Sequence, residues 1–362
     1  MSQVLFAVMS RWKAIALLVC VLLTGCFPTP TVPEAGNGTV SPDGIWVLCE
    51  GLWMQNNSSL SNIASSGTVV RDALRYVNNV SIGDNPTHMV ADADTLIIAV
   101  NTTRKILFVN KKTGELTGMV DMPGMQKPFK LCVRGRKLWC SNLNDDSITE
   151  LDLDTRTITL PAIHVGPAPE GMAAVRGKLY VALSGMGDLR YTEPGAGSIV
   201  VVNTASMLVQ DTIAGLPNAA MLVADEARNR VWCSYRNLPS LADSLGGVVL
   251  IDVRADTIVQ EWRFPAAHAL SLNQGTGEVY VLHRNGIDKL TAGNAAPQPV
   301  ASHSSGLLRD NWYSMTYNPA SNTILVGNAR GFLTDGEVIE FSPDGRELNR
   351  YTVGLNPGCI LP

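Results

Sequence analysis

The feature that most constrains this chain is a unit that recurs along nearly its whole length, with a period of roughly 41–49 residues. Each copy opens with a Pro-containing turn and a short apolar strand. A Gly/Asp/Asn-rich turn then leads to a second apolar strand, and a loop leads to a third that ends in an apolar-Asp or apolar-Asn pair. A polar strand closes the unit. One copy reads Asn85-Pro86-Thr87-His88-Met89-Val90, Thr95-Leu96-Ile97-Ile98-Ala99-Val100, Ile106-Leu107-Phe108-Val109-Asn110 and Gly114-Glu115-Leu116-Thr117-Gly118-Met119-Val120. The order returns with Pro128, Leu138-Trp139-Cys140-Ser141 and Ile148 to Asp152, then with Pro169, Leu179-Tyr180-Val181-Ala182 and Ile199 to Asn203. It returns again with Pro217, Val231-Trp232-Cys233-Ser234 and Val248 to Asp252, and twice more loosely around Val279-Tyr280-Val281-Leu282 and Ile324-Leu325-Val326-Gly327. Four short strands per unit, at this period, fit the blades of a propeller and do not fit leucine-rich or ankyrin arrays.

The two ends complete the count. Ile45-Trp46-Val47-Leu48-Cys49 matches the second strand of the other units and has no inner strand before it. Asn356-Pro357-Gly358-Cys359-Ile360-Leu361 matches an inner strand and has nothing after it. If the C-terminal strand pairs antiparallel with Ile45–Cys49, a ring closes and leaves no sheet edge at the seam. The expected fold is all-β: one seven-bladed β-propeller over residues 40–362, with the seam closed by the C-terminal strand.

Upstream of the repeats, Arg11 and Lys13 precede an apolar run from Ala14 to Leu23, too short for a permanent span and suited to a signal-peptide core. Leu23-Thr24-Gly25-Cys26 resembles a lipobox, which implies removal of residues 1–25 and acylation (diacylglyceryl, palmitate-type) of Cys26. Residues 26–39, rich in Pro, Gly and small side chains, read as a flexible tether from that cysteine to the folded part. The partner expected there is a lipid bilayer. The formal net charge is −4, and −6 once Arg11 and Lys13 leave with the signal, which disfavours nucleic acid as a partner. No later apolar stretch approaches the roughly 20 residues of a membrane helix.

The recurring pattern of a proline turn, then Lys-Leu-Tyr/Trp-Val, then Val-apolar-Asp-x-x-Thr, resembles the bacterial seven-bladed propellers known as surface-layer or YVTN-type repeat proteins. The resemblance covers essentially all of the chain after the tether. Glu50-Gly51-Leu52-Trp53, Asn56 to Leu60, Ile82-Gly83-Asp84-Asn85-Pro86 and Gly166-Pro167-Ala168-Pro169-Glu170-Gly171 further resemble a subgroup of envelope lipoproteins. Members of that subgroup sit beside TonB-dependent transporters, and some capture cobalamin. The resemblance therefore implies an envelope location, a TonB-dependent transporter as partner and a cobalamin-like cargo. The motifs themselves carry no ligand, because one fold hosts many functions. Residues 27–30 hold no acidic cluster of the kind some lineages use for surface display, and no Asp follows Cys26. Outer-membrane anchoring is expected, with the periplasmic or surface-facing side left open.

Catalytic signatures are lacking. His88, His164, His268, His283 and His303 lie in different units without metalloprotease spacing, and there is no nucleophile elbow or P-loop. No catalytic residue, metal site or cofactor is assigned. Beyond Cys20 and Cys26 the cysteines are Cys49, Cys132, Cys140, Cys233 and Cys359. Aligning the units places Cys49 and Cys359 close together at the seam, so a Cys49–Cys359 disulfide could staple it in an oxidising envelope; free, packed thiols are the alternative. Cys140 and Cys233 read as core residues.

A ligand is expected on the face where the loops entering the inner strands and the loops after the second strands emerge together. From the first set come His88, Lys130, Glu170, His268, Trp312 and Tyr313. From the second come Tyr191, Tyr235, Arg236, His283, Arg284 and Arg330. The loops 184–197 and 235–247 are longer than a turn requires, which points to recognition. Three classes of function follow, in order of preference. The first is a ligand-binding envelope lipoprotein that serves nutrient or cofactor uptake without catalysis; the second is a protein-interaction scaffold in the envelope. The third is a lactonase-like or quinone-dependent propeller enzyme.

Overall fold

The structure, a computed structural model, describes residues 38–238, 240, 245–303 and 311–362. Residues 1–37 fall outside it, so the signal peptide, Cys26 and most of the tether lie outside the described residues. So does Asp243.

Among the described residues the chain forms seven four-stranded antiparallel sheets, the blades of a β-propeller. Blades 2 to 7 run in order along the sequence, with inner strands Pro86–Asp92, Pro128–Arg134, Pro169–Val175, Ala219–Asp225, Ala269–Leu272 and Trp312–Asn318. Blade 1 takes its second strand, Ile45–Cys49, from the start of the propeller and its inner strand, Pro357–Leu361, from the end. The register at the seam is Trp46 opposite Leu361, Val47 opposite Ile360 and Leu48 opposite Cys359. The expected closure is therefore observed, and its hydrogen bonds satisfy what would otherwise be an open edge.

The second strands are nearly continuous apolar runs because each blade is packed on both faces. Thr95–Val100 and Lys178–Leu183 are buried at every position after the first. The outermost strands, such as Thr157–His164, are mostly exposed. Strand periodicity then deals alternate residues to alternate neighbours. In Arg230–Tyr235, Val231, Cys233 and Tyr235 join the core between blades 4 and 5, while Trp232 joins the core between blades 5 and 6. Seven such cores occur among the described residues, one at each junction around the ring.

The same alternation decides the cysteine question. Cys49 lies on the face of blade 1 that meets blade 7, beside Val47 and Ile360. Cys359 packs on the other face, against the blade 2 side with Trp46 and Leu48. The register pairs Cys359 with Leu48, and a bulge beyond that pair sets Pro357 opposite Cys49. The expected staple is corrected accordingly: both thiols are free. The Cys359 thiol donates to the Met89 carbonyl at 3.3 Å, and burial pushes the Cys49 thiol up to about 12.

Blade 1 also departs from the repeat at its rim. Its fourth strand is only Val69–Val70, followed by a one-and-a-half-turn helix, Ala73–Asn78, capped by Asp72 accepting from the Arg75 amide. Asn78 ties this helix to blade 2, its amide donating to the Gly114 carbonyl at 2.8 Å and its oxygen accepting from the Leu116 amide at 2.8 Å.

Candidate functional site

Six of the seven inner strands begin with a break in register against their neighbour, in every blade but the sixth. An extra residue at that point bends the strand entry and re-aims a side chain. The bends lie at the end of the propeller where the entering loops and the loops after the second strands meet, which makes this the funnel face. Pressed this closely, the inner strands leave little room: a side chain at Gly171 would collide with the Ala220 carbonyl of the next blade.

One polar side chain per blade gathers at this mouth: Glu50, His88, Lys130, Glu170, Arg236, His268 and Tyr313, in blades 1 to 7. They are joined by contacts around and across the ring. Arg236 donates through one terminal nitrogen to both Glu170 oxygens at 2.6 and 2.7 Å, linking blades 5 and 4. The Tyr313 hydroxyl donates to Glu50 Oε2 at 2.8 Å, linking blades 7 and 1. The Leu131 amide of blade 3 donates to His88 Nδ1 at 3.1 Å, and Lys130 Nζ donates to the Thr87 carbonyl at 3.1 Å while lying 5.2 Å from the Phe129 ring centroid.

These placements shift the titrating groups. Burial, reinforced by Lys130, holds the His88 pKa well below its usual value, so its Nδ1 is a neutral acceptor. Burial raises the Glu50 pKa, partly offset by the Tyr313 hydrogen bond and by Lys130. Tyr313 is raised by burial and by the adjacent Glu50 carboxylate. His268 is lowered by desolvation and then by the cations Arg236 and Arg284.

Glu50 belongs to this group although it was not among the sequence-derived site residues. The inner strand of blade 1 carries Gly358 near its start, and a side chain there would overlap Glu50 Oε1, so the carboxylate occupies the space a blade 1 side chain would fill. A glycine at the inner-strand entry, next to an acid ending the second strand, was the available signal.

Other expected residues are placed elsewhere. Tyr235 is 1% exposed, and its hydroxyl donates to Glu261 on the outermost strand of blade 5. As the last residue of its strand it follows the parity of Val231 and Cys233 into the core, so its placement on the funnel surface is corrected. His283 is also buried, its ring 5.0 Å from Phe264 and its Nε2 3.5 Å from Asp288 Oδ2. Trp312 packs with Phe341 and His303 at 5.3 and 5.2 Å. Arg330 lies 3.5 Å from Glu337. Arg284 and Tyr191 remain exposed on the funnel side. Next to Tyr191, Arg190 grips both oxygens of Asp146 at 2.8 and 2.6 Å and also pairs with Glu193, fixing the long loop of blade 4 on blade 3 and holding Asp146 below the usual carboxylate range.

The two faces differ in their apolar exposure. Funnel-side loops expose Trp53, Met54, Met125, Leu189, Phe332 and Leu333, with Leu189 and Leu333 at 77% and 76%. Among the described turns of the opposite face, large apolar exposure is confined to Leu208–Val209. Two open recesses lie away from the ring. One, of about 350 Å³, sits between Val40, Val77 and Lys112; the other, of about 830 Å³, lies on the opposite face between Arg134, Trp139 and Thr204. Among the described residues no three His, Cys, Asp or Glu side chains converge as a metal site, and no helix is long and apolar enough to cross a membrane.

Comparison with known proteins defines the class by fold. No family model and no curated protein matches the sequence. Among solved structures, a quinonprotein alcohol dehydrogenase-like protein from Bacteroides thetaiotaomicron aligns over 90% of this chain and 79% of its own, with a TM-score of 0.68 and 14% identity. BamB from Moraxella catarrhalis aligns over 88% and 85%, with a TM-score of 0.51 and 13% identity. Kuenenia stuttgartiensis hydrazine synthase aligns over 75% and 88%, with a TM-score of 0.56 and 17% identity. At these identities the likeness concerns the fold, which carries both enzymes and binding proteins. The chain is a seven-bladed β-propeller with its polar ring and its exposed apolar loops on one face.

Proposed function

We propose that this chain is an outer-membrane-anchored envelope lipoprotein that captures a ligand on the funnel face of its propeller. It serves as an accessory to nutrient or cofactor uptake, with a cobalamin-like molecule as cargo and a TonB-dependent transporter as partner. The observation that carries this reading is the gathering, on the funnel face, of a polar axial ring inside a rim of exposed apolar and aromatic loop tips. A large ligand with a polar centre and apolar edges fits such a surface, since rim burial supplies affinity and the ring supplies orientation.

The apolar loop tips also favour a second reading, a protein-interaction scaffold, because exposed side chains such as Leu333 suit a protein partner as well as a small molecule.

The test is recovery of small molecules that co-purify with the protein, followed by titration with cobalamin. Binding at micromolar concentration or tighter is expected. No measurable binding there removes the cargo. Crosslinks from position 333 to an envelope protein, with no small molecule recovered, would transfer the face to the scaffold reading.

A further inference from the structure

Cations at the funnel mouth exceed the acids that neutralise them. Glu170 is engaged with Arg236, and Glu50 is held by Tyr313 with Lys130 nearby. That leaves Arg284, exposed beside His268, with no side-chain hydrogen bond or ion pair among the described residues. Lys130 donates one of its three N–H bonds to the Thr87 carbonyl. The Nε of Arg236 is buried without an acceptor. A buried donor left unmade costs free energy that a suitable acceptor would recover. The neighbouring histidine registers the surplus, since His268 is lowered by Arg236 and Arg284 after desolvation.

We propose, building on the capture reading above, that Arg284, Arg236 and His268 form an oxyanion subsite at the mouth of the axial channel that receives a phosphate or carboxylate group of the captured ligand. The unpaired Arg284 guanidinium presents paired N–H donors in the geometry an oxyanion accepts, Arg236 adds a free terminal nitrogen, and a concave, partly desolvated mouth strengthens the field that attracts the anion. Glu170 holds the Arg236 guanidinium in place by occupying Nη2, which leaves Nη1 without an acceptor among the described residues. Arg284 supplies the unpaired charge.

Calorimetric titration of the full chain in detergent with inorganic phosphate, and separately with citrate, tests the subsite and tells phosphate from carboxylate preference. Saturable binding in the millimolar range or tighter is expected. Arg284→Ala should weaken it by about ten-fold or more, the loss expected for a charge-assisted fork. Arg284→Lys should fall between, because it keeps the charge and loses the fork. Arg254→Ala, at an exposed site on the opposite face, should leave it unchanged. The proposal is overturned if neither anion binds at tens of millimolar, or if Arg284→Ala binds as the parent does. A cargo whose binding ignores Arg284→Ala would sink the subsite and leave capture standing. Arg284-dependent phosphate binding, with no cargo recovered and no cobalamin bound, would do the reverse.

Discussion

Replacing Ile360 with alanine tests how the ring is closed. Ile360 is 4% exposed, sits opposite Val47 across the seam, and packs with Val47, Leu325 and Val338 between blades 7 and 1. Removing its buried carbons loses their transfer free energy and leaves a void that rigid neighbouring sheets cannot readily fill, a cost of about 3 kcal/mol. At roughly 2 °C per kcal/mol for a domain of this size, the melting midpoint should fall by about 6 °C. Leu348→Ala provides the comparison: on the outermost strand of blade 7, 39% exposed, it should cost less than about 1 kcal/mol. Deleting residues 357–362 removes the same isoleucine together with its backbone ladder and the Ser314 hydroxyl bond to the Pro357 carbonyl at 2.6 Å. At about 1 kcal/mol per lost hydrogen bond plus the side chain, the loss approaches the roughly 5–15 kcal/mol that holds a typical domain together. That variant should open at blade 1 and self-associate through the bared edge. Thermal circular dichroism and size-exclusion chromatography measure both effects. An Ile360→Ala protein melting within about 1 °C of the parent, or a monomeric deletion variant with the parent's midpoint, would refute the reasoning.

Two other predictions concern buried groups. Alkylation of the processed chain after unfolding should add five labels, at Cys49, Cys132, Cys140, Cys233 and Cys359, and very few in the native state, because burial raises all five thiols; an intact mass showing three labels would restore the seam disulfide. Glu50 has a folded-state pKa raised by burial, so its contribution to stability is complete below the unfolded carboxylate value and declines as pH rises through the folded one. Glu50→Gln keeps an acceptor for Tyr313 and should raise the midpoint at neutral pH while converging with the parent near pH 4; equal midpoints at both pH values would contradict the assignment.

Much of the architecture was legible because it is repeated and local. The doubly buried second strands announce themselves as continuous apolar runs, such as Leu96–Val100 and Leu179–Leu183. The unpaired half-blades at the two ends admit one closure. Helix Ala73–Asn78 escaped because it interrupts a single repeat and is held by its Asp72 cap and by Asn78 reaching blade 2, neither of which has a periodic signature.

The seven-fold all-β ring and its seam can be read from the repeat and the two half-blades, since strand period and terminal complementarity need no knowledge of side-chain direction. Tertiary structure alone decided which face each side chain serves. In a strand, a shift of one residue reverses every side chain. That parity sends Tyr235 into the core and, with Cys359 paired to Leu48, sets Cys49 and Cys359 on opposite faces of blade 1. The funnel ring depends on the same physics: strand entries bent by bulges bring Lys130, Glu170 and Tyr313 to the mouth, and the space left by Gly358 lets Glu50 complete it.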